Sequence, residues 1–196
     1  MRKICLKLGA GWNRDLHKSE KRMGNLKRIT TDYNEQEDRI TLAGLTDKDQ
    51  TVVLWLTMRL ARRLIKHCLN LLDKDSSQPG DVSSTNENSR KSLQNFVQKS
   101  AEQQTTEEPA VKVTRNSPKF LVIEIDIKPV GNGVTLNFKE QFSDRYEVFL
   151  NIQQLRQWLG MLHTIWQKTD WPTNVWPDWM KTDSSQLATS GEISVH

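Results

Sequence analysis

The sharpest concentration of charge in the sequence is a group of four cations, Arg59, Arg62, Arg63 and Lys66. Their spacing of 3, 1 and 3 residues places all four on one stripe of a helix, opposite its apolar side. Such a stripe can bind phosphate groups or the carboxylates of an acidic partner. Basic stripes are more often solvated helix faces, so both interpretations stay open. The corresponding helix later in the chain keeps only Arg156, which would restrict the contact to one of the two helices.

Aromatic side chains supply a second kind of candidate contact. Trp55 and Phe149 occupy matching positions in two predicted strands, on the sheet face that a single layer of helices leaves open. The stretch TDWPTNVWPDWM adds Trp171, Trp176 and Trp179. Exposed rings can stack the bases of single-stranded nucleic acids, whereas buried rings anchor a segment on the protein's own body. We expect residues 169–181 to form an extended tail that packs on the body, and some cover over the two strand rings.

No group of residues in the sequence is typical of a catalytic, cofactor or metal site. LGAGW at 8–12 lacks the third glycine and the following helix of a phosphate-binding loop. The histidines at 17, 67, 163 and 196 show none of the spacings of a metal site. Glu124 and Asp126 share a strand face, and strand alternation explains them as its solvated side. We therefore predict no catalytic, cofactor-binding or metal-binding residues, and a protein that is not an enzyme.

Charge is distributed unevenly along the 196-residue chain. Residues 1–28 carry nine Lys or Arg against two acids, whereas the rest carries 19 basic and 22 acidic residues. A basic footprint for nucleic acid would therefore come mostly from the N-terminal arm. The patterned sequence begins directly after Met23, which makes Met23 an alternative start.

The lengths of the apolar runs and the spacing of the cysteines help to predict the cellular compartment of the protein. No apolar run approaches the ~20 residues of a membrane-spanning helix. The N-terminus lacks the apolar region of a secretion signal, since Lys7 interrupts it. Cys5 and Cys68 form no zinc or CxxC spacing. We expect a cytoplasmic protein that does not contact a membrane.

The hydrophobic pattern predicts an α+β fold built from two similar units. Shifted by 94 residues, the segment 26–72 lies on 120–166 without a gap, and each copy reads as three strands and a helix. FLVIEIDIK at 120–128 alternates apolar and polar residues, as a half-buried strand does. Thr57 and Asn151 stand where a helix N-cap is favoured, each before an amphipathic stretch. We expect pseudo-duplicated βββα units, with antiparallel sheets and one helix each, that cover each other and form one domain.

Residues 73–118 separate the two units. They are rich in Ser, Gln, Asn, Thr and Glu and poor in aromatics, which predicts a disordered polar linker. Leu93, Phe96 and Val97 leave a short helix possible within it. The predicted organisation is a flexible basic arm at 1–24, a first repeat at 25–72, the linker at 73–118, a second repeat at 119–168, the Trp-rich tail at 169–181 and a disordered C-terminus at 182–196.

Two functions from different classes fit these features. At the level of fold, residues 26–72 and 120–166 resemble duplicated sheet-plus-helix single-strand binders such as the Pur and Whirly families. The Lys-Gly-Lys signature of Whirly proteins is absent from the sequence, so no family is assigned. We favour a non-catalytic binding or adaptor protein that engages a protein partner or itself as a homodimer. The alternative is a single-stranded DNA- or RNA-binding protein, with the arm and the basic stripe on phosphates and the aromatic rings on bases.

Overall fold

Eight strands and four α-helices form the parts of the chain that the computed structural model describes, residues 4–7, 23–75, 87–106, 108–140 and 145–181. In chain order they are β1 (Ile4–Lys7), β2 (Met23–Asn34), β3 (Arg39–Thr46), β4 (Thr51–Thr57), α1 (Met58–Asp75), α2 (Glu87–Gln103), β5 (Lys119–Leu121), β6 (Glu124–Val130), β7 (Gly133–Lys139), β8 (Arg145–Asn151), α3 (Ile152–Trp166) and α4 (Asp178–Lys181). A 3₁₀ turn at Thr173–Val175 precedes α4. The predicted α+β class is confirmed.

The strands form one mixed sheet that curls until its two ends meet. Seven strands follow the order β5-β4-β3-β2-β8-β7-β6, and β1 pairs with β2 outside this order. The terminal strands β5 and β6 are separated by only two residues. The Val122 N–H donates to the Trp55 carbonyl of β4, and the Ile123 N–H donates to the Lys139 carbonyl of β7. Residues 122–123 therefore bridge the two edges of the sheet.

The core lies between the sheet and the helices α1 and α3. β3 alternates between buried and half-buried residues, and its buried members include Ile40 and Leu42. Trp158 of α3 is buried and donates its indole N–H to the Thr31 hydroxyl of β2 across 3.0 Å. A buried indole N–H is stabilised by such an acceptor, so this bond helps to hold α3 against the sheet.

Helices α1 and α3 each start at a residue that caps a backbone N–H group of the first turn. The Leu60 N–H donates to the Thr57 hydroxyl at 3.3 Å at the start of α1. At the start of α3, Asn151 and Gln154 form a reciprocal capping box. The N-caps predicted from the sequence at these two positions are confirmed.

The two expected units do not form separate antiparallel sheets. β2–β3–β4 and β6–β7–β8 are each antiparallel, but Met23–Asn25 pair in parallel with Arg145–Glu147 and join them edge to edge. A second parallel contact joins β4 to β5. Pairing between distant segments leaves no local signal in a sequence. The expectation is therefore corrected to a single mixed sheet.

The prediction of a disordered linker over 73–118 is wrong for residues 87–103, which form α2. The buried residues of this helix are Gln94, Gln98 and Ala101. The compositional argument failed because it considered apolar area alone, whereas α2 docks through hydrogen bonds of buried amide side chains.

The end of the same predicted linker is ordered against the sheet. The Val111 N–H donates to the Thr30 hydroxyl at 2.9 Å, and the hydroxyls of Ser117 and Thr51 lie 2.6 Å apart. Residues 108–118 thus cover part of the sheet face that the core does not use. Residues 76–86 lie outside the described residues.

The predicted flexible arm over 1–24 also needs correction. Ile4–Lys7 form β1 antiparallel to β2, and β2 itself begins at Met23. β8 pairs with β2 only as far as Asn25, so β1 supplies partners for backbone groups further along the same strand. Residues 1–3 and 8–22, and the predicted disordered C-terminus at 182–196, lie outside the described residues.

Gly133 opens β7 at a point that leaves no room for a side chain. A Cβ there would lie 2.3 Å from the Leu150 carbonyl oxygen and 2.8 Å from Asn151 Cα. Both are backbone atoms of β8, so we expect Gly133→Ala to lower the free energy of unfolding by about 2–3 kcal/mol. Urea denaturation measures this change.

Gly131 provides the matched control in the same hairpin. Its φ of 55° suits Asn, and among the described residues nothing lies within 4 Å of an added Cβ. Gly131→Asn is expected to change stability by less than about 1 kcal/mol. A Gly133→Ala protein as stable as the wild type would contradict the β7–β8 register.

Candidate functional site

The Trp-rich tail, residues 169–181, turns back over the helices after α3. Its rings are buried, with Trp171, Trp176 and Trp179 exposed by 6%, 2% and 8%. Trp166, the last residue of α3, meets Trp171 edge-on at a centroid distance of 4.9 Å and Trp176 at 5.9 Å. The Trp166 indole N–H donates to the Pro172 carbonyl at 3.2 Å. These rings belong to the core, so the tail offers no exposed aromatic platform among them.

The tail has a second anchor at the turn between β2 and β3. The Trp171 indole N–H and the Tyr33 hydroxyl both donate to one oxygen of Asp38, each at 2.6 Å. The rings of Tyr33 and Trp171 also meet edge to face at 5.6 Å. The hydrogen bond to Asp38 raises the pKa of Tyr33 to about 12, because ionised Tyr33 would lose this bond and repel the carboxylate.

A groove of about 790 Å³ lies between α1 and the tail. One wall is formed by side chains of α1 from Met58 to Asp73, and all four cations of the basic stripe are among them. The other wall is formed by Asn174, Val175, Trp176 and Pro177. The guanidinium of Arg62 donates to the Asn174 side-chain oxygen at 3.1 Å and links the two walls.

The groove is strongly positive along α1. Arg59, Arg63 and Lys66 are exposed and Arg62 is half-buried. Within the described part of the chain, none of the four lies at ion-pair distance from a carboxylate. Among the described residues that line the groove, one is acidic, Asp73, and it lies at the far end of the same wall. The field of the basic stripe is therefore free to attract an anion.

Apolar side chains lie beside these cations. Met58 and Leu69 contribute from α1, and Val175 and Trp176 contribute from the tail. The groove thus combines a cationic stripe with apolar surface, the combination that binds a ligand carrying both carboxylates and aliphatic groups.

The two strand rings lie elsewhere. Trp55 is half-buried, and the Arg39 guanidinium sits 5.4 Å from the centre of its ring. Phe149 is half-buried against Gly133, where an added Cβ would lie 2.8 Å from its ring. Neither residue lines the groove. The structure therefore brings the basic stripe and Trp176 together, but not the other predicted aromatic contacts.

The other residues considered for chemistry have structural contacts. Lys139 pairs with Glu124 at 2.6 Å and with Asp126 at 2.7 Å, and its hydrogen bond lowers the pKa of Asp126. Burial raises the pKa of the Cys68 thiol to about 12, which keeps it protonated. Across the described ranges, no three His, Cys, Asp or Glu side chains are grouped to hold a metal ion. No helix in these ranges is long and apolar enough to cross a membrane.

Comparison with known proteins adds no assignment to this geometry. No protein-family model, curated protein or solved structure matches the chain at a significant level. A functional proposal therefore depends on the groove itself.

The sequence indicated one wall of the groove and missed the other. Asn174, Val175 and Pro177 lie in the tail, which we expected to be extended. Instead, Thr173–Val175 form a 3₁₀ turn and Asp178–Lys181 form α4. Three anchoring rings do imply that the residues between them face a neighbouring surface. The sequence does not show which helix provides that surface.

Trp176 lies in both the core and the groove wall, so its truncation tests the anchoring of the tail. We expect Trp176→Ala to lower the free energy of unfolding by about 3–5 kcal/mol, as for other buried tryptophans. Thr173→Ala changes an exposed side chain of the same turn and should cost less than about 0.5 kcal/mol. Thermal and urea melting measure both. A Trp176→Ala protein with wild-type stability would show that the tail is no part of the core.

Tyr33 gives the stability a pH dependence of definite sign. Its pKa is raised from 10.0 to about 12 on folding, so this contribution is complete below pH 10 and is lost as the pH rises toward 12. We expect Asp38→Asn to return the pKa toward 10.0, because the hydrogen bond to Asp38 is the largest cause of the shift.

The measurement is an ultraviolet titration of tyrosinate, taken as the difference between each protein and its Tyr33→Phe counterpart. This subtraction removes the signal of Tyr146. The same midpoint with Asp38 and with Asn at position 38 would rule out Asp38 as the acceptor.

Proposed function

We propose that this chain is a non-catalytic binding protein that holds an acidic segment of a protein partner in the groove between α1 and the tail. The observation that carries the proposal is the basic stripe, four cations along one wall without a carboxylate partner in the described residues. Neighbouring like charges repel each other, and an anionic ligand relieves that repulsion. We place this activity in the cytoplasm, in line with the free thiol of Cys68.

The apolar part of the groove favours a peptide over a nucleic acid. Met58, Leu69 and Val175 offer contacts to aliphatic side chains, which an acidic peptide carries and a phosphate backbone lacks. Single-stranded nucleic acid also depends on aromatic platforms. The tail tryptophans are buried, and Arg39 lies over the ring of Trp55. Single-stranded DNA or RNA is therefore the second candidate, supported by the basic stripe alone.

Two labelled probes distinguish these ligands by fluorescence anisotropy. One is a peptide of about 15 residues that mixes Glu, Asp and Leu, and the other is a dT oligonucleotide of about 15 nucleotides. We expect the peptide to bind, and Arg62→Glu combined with Arg63→Glu to weaken binding at least ~10-fold, or ~1.4 kcal/mol. The reason is that both substitutions replace attraction to carboxylates by repulsion.

Lys112→Glu combined with Arg115→Glu is the matched control. Both are exposed cations that do not line the groove, and the net charge changes equally. This variant should bind the peptide as the wild type does. Oligonucleotide binding alone, weakening steeply between about 50 and 200 mM salt, would contradict the proposal in favour of nucleic acid. No binding of either probe would also contradict it.

We also propose that the two strand–helix units descend from an internal duplication. The antiparallel pair Ile40–Leu56 recurs 94 residues later as Val134–Leu150. The same shift relates Asn25 to Lys119 and Val53 to Glu147. The parallel pair Asn25–Glu147 therefore corresponds to the parallel pair Lys119–Val53, with the two units exchanged. The hairpins β2–β3 and β6–β7 differ in register. Asn34 pairs with Arg39, but Lys128, the position equivalent to Asn34, pairs with Thr135. Superposition of the units in an experimental structure at this shift tests the proposal.

A further inference from the structure

Helix α2 exposes its three large apolar residues, whereas its buried face consists of two glutamines and Ala101. Leu93, Phe96 and Val97 are exposed by 54%, 70% and 37%, whereas Gln94 and Gln98 are exposed by 2% and 3%. The three apolar residues follow the i, i+3, i+4 spacing of one helix face. We call them the α2 stripe.

Hydrogen bonds to α3 fix the rotation of α2 and hold the stripe outward. Gln98 donates to the Arg156 carbonyl at 2.9 Å, and the Arg156 guanidinium donates to the Gln94 side chain at 2.9 Å. Gln157 donates to the Ala101 carbonyl at 3.0 Å. Turning the stripe inward would break these buried bonds, each costly to leave unmade. The hydrogen bonds between α2 and α3 therefore keep the stripe on the outer face of α2.

We infer that the α2 stripe is a self-association surface, on which a second copy of this chain packs its own α2 in antiparallel orientation. An exposed cluster of this kind is typical of a protein contact site. The inference is independent of the proposed ligand groove, whose lining does not include the stripe.

The charge pattern of α2 favours a second copy over a charged partner. The stripe is flanked by Ser89, Ser92 and Ser100, which are uncharged. Of the cations of α2, the exposed Arg90 lies one turn before Leu93 at the end of the stripe, and Lys91 pairs with Glu87 at 2.8 Å. Arg90 and Lys99 line cavities beside the tail. A two-fold contact brings identical surfaces together, so it requires a neutral seam of this kind to avoid like-charge repulsion.

The side chains of the stripe also suit an antiparallel pair. A two-fold axis beside Phe96 and Val97 places Leu93 of one copy opposite Ser100 of the other, a large residue facing a small one. Such alternation lets two helices approach closely. Two 17-residue helices meet over about 25 Å, an interface at the lower end of specific size. A contact of this size is weak, so the expected dissociation constant lies in the micromolar range.

Sedimentation velocity of the full chain over about 1–300 μM, a range that brackets this constant, tests the inference. The mass should rise with concentration from 22.7 kDa toward twice that value. Phe96→Asp should weaken dimerisation at least ~30-fold, because it buries a charge at the axis. Its circular dichroism and melting point should match those of the wild type, since Phe96 is exposed in the monomer.

Val130→Asp is the control, because it makes the same kind of change at an apolar residue that is 51% exposed on β6. It should dimerise as the wild type does. A wild type that is monomeric throughout, or a Phe96→Asp protein that dimerises normally, would overturn the inference. So would loss of dimerisation in Val130→Asp.

A cysteine substitution near the axis gives a second measurement. Mild oxidation of Val97→Cys should form an intermolecular disulfide through residue 97, because the two copies of this residue face each other across the seam. Val130→Cys should not form one under the same conditions. Equal cross-linking of the two variants would overturn the antiparallel α2 contact.

Discussion

The packing of Trp166 between Trp171 and Trp176 is the contact on which the candidate site depends. It turns the chain back at the end of α3, and the bond from Trp171 to Asp38 holds the start of the returning segment. Residues 173–177 then have to pass beside α1, where they form the second wall of the groove. α2 rests on the same tail, since Asn95 donates to the Trp179 carbonyl. Without this aromatic cluster, the basic stripe would lie on an open helix face.

Local patterns predicted most elements of this fold. FLVIEIDIK at 120–128, expected as one half-buried strand, is instead divided between β5 and β6 at the two ends of the sheet, and Leu121 and Ile123 are exposed. The amphipathic stretches predicted after Thr57 and Asn151 correspond to α1 and α3, because burial of one helix face imposes that period. The same patterns could not predict that the strands form one curled sheet. Its parallel contacts at Asn25 and Lys119 depend on pairing between segments far apart, and no residue type marks them. The sequence therefore indicates which segments are strands, but not which strands are neighbours.

The same distinction applies to the candidate site and to α2. Helical spacing placed Arg59, Arg62, Arg63 and Lys66 on one stripe, and their role in binding stays a prediction. The tail wall depends on a tertiary contact of Trp166, which spacing does not reveal. The sequence left only a short helix possible at the position of α2, because its docking face is formed by Gln94 and Gln98, and amide side chains carry no hydrophobic period. Its apolar stripe was visible in the sequence, but it would ordinarily be assigned to the core.

The magnitudes of the contacts around the groove indicate how a ligand could enter it. The Arg62–Asn174 hydrogen bond is exposed, and a bond of this kind contributes only about 0.5–1.5 kcal/mol. Detaching the tail would expose the buried ring of Trp176, at a cost of about 3–5 kcal/mol. A carboxylate can therefore replace Asn174 as the partner of Arg62 while the tail stays in place. The groove is in this sense pre-formed, and its two walls keep their separation when a ligand exchanges one guanidinium contact for another.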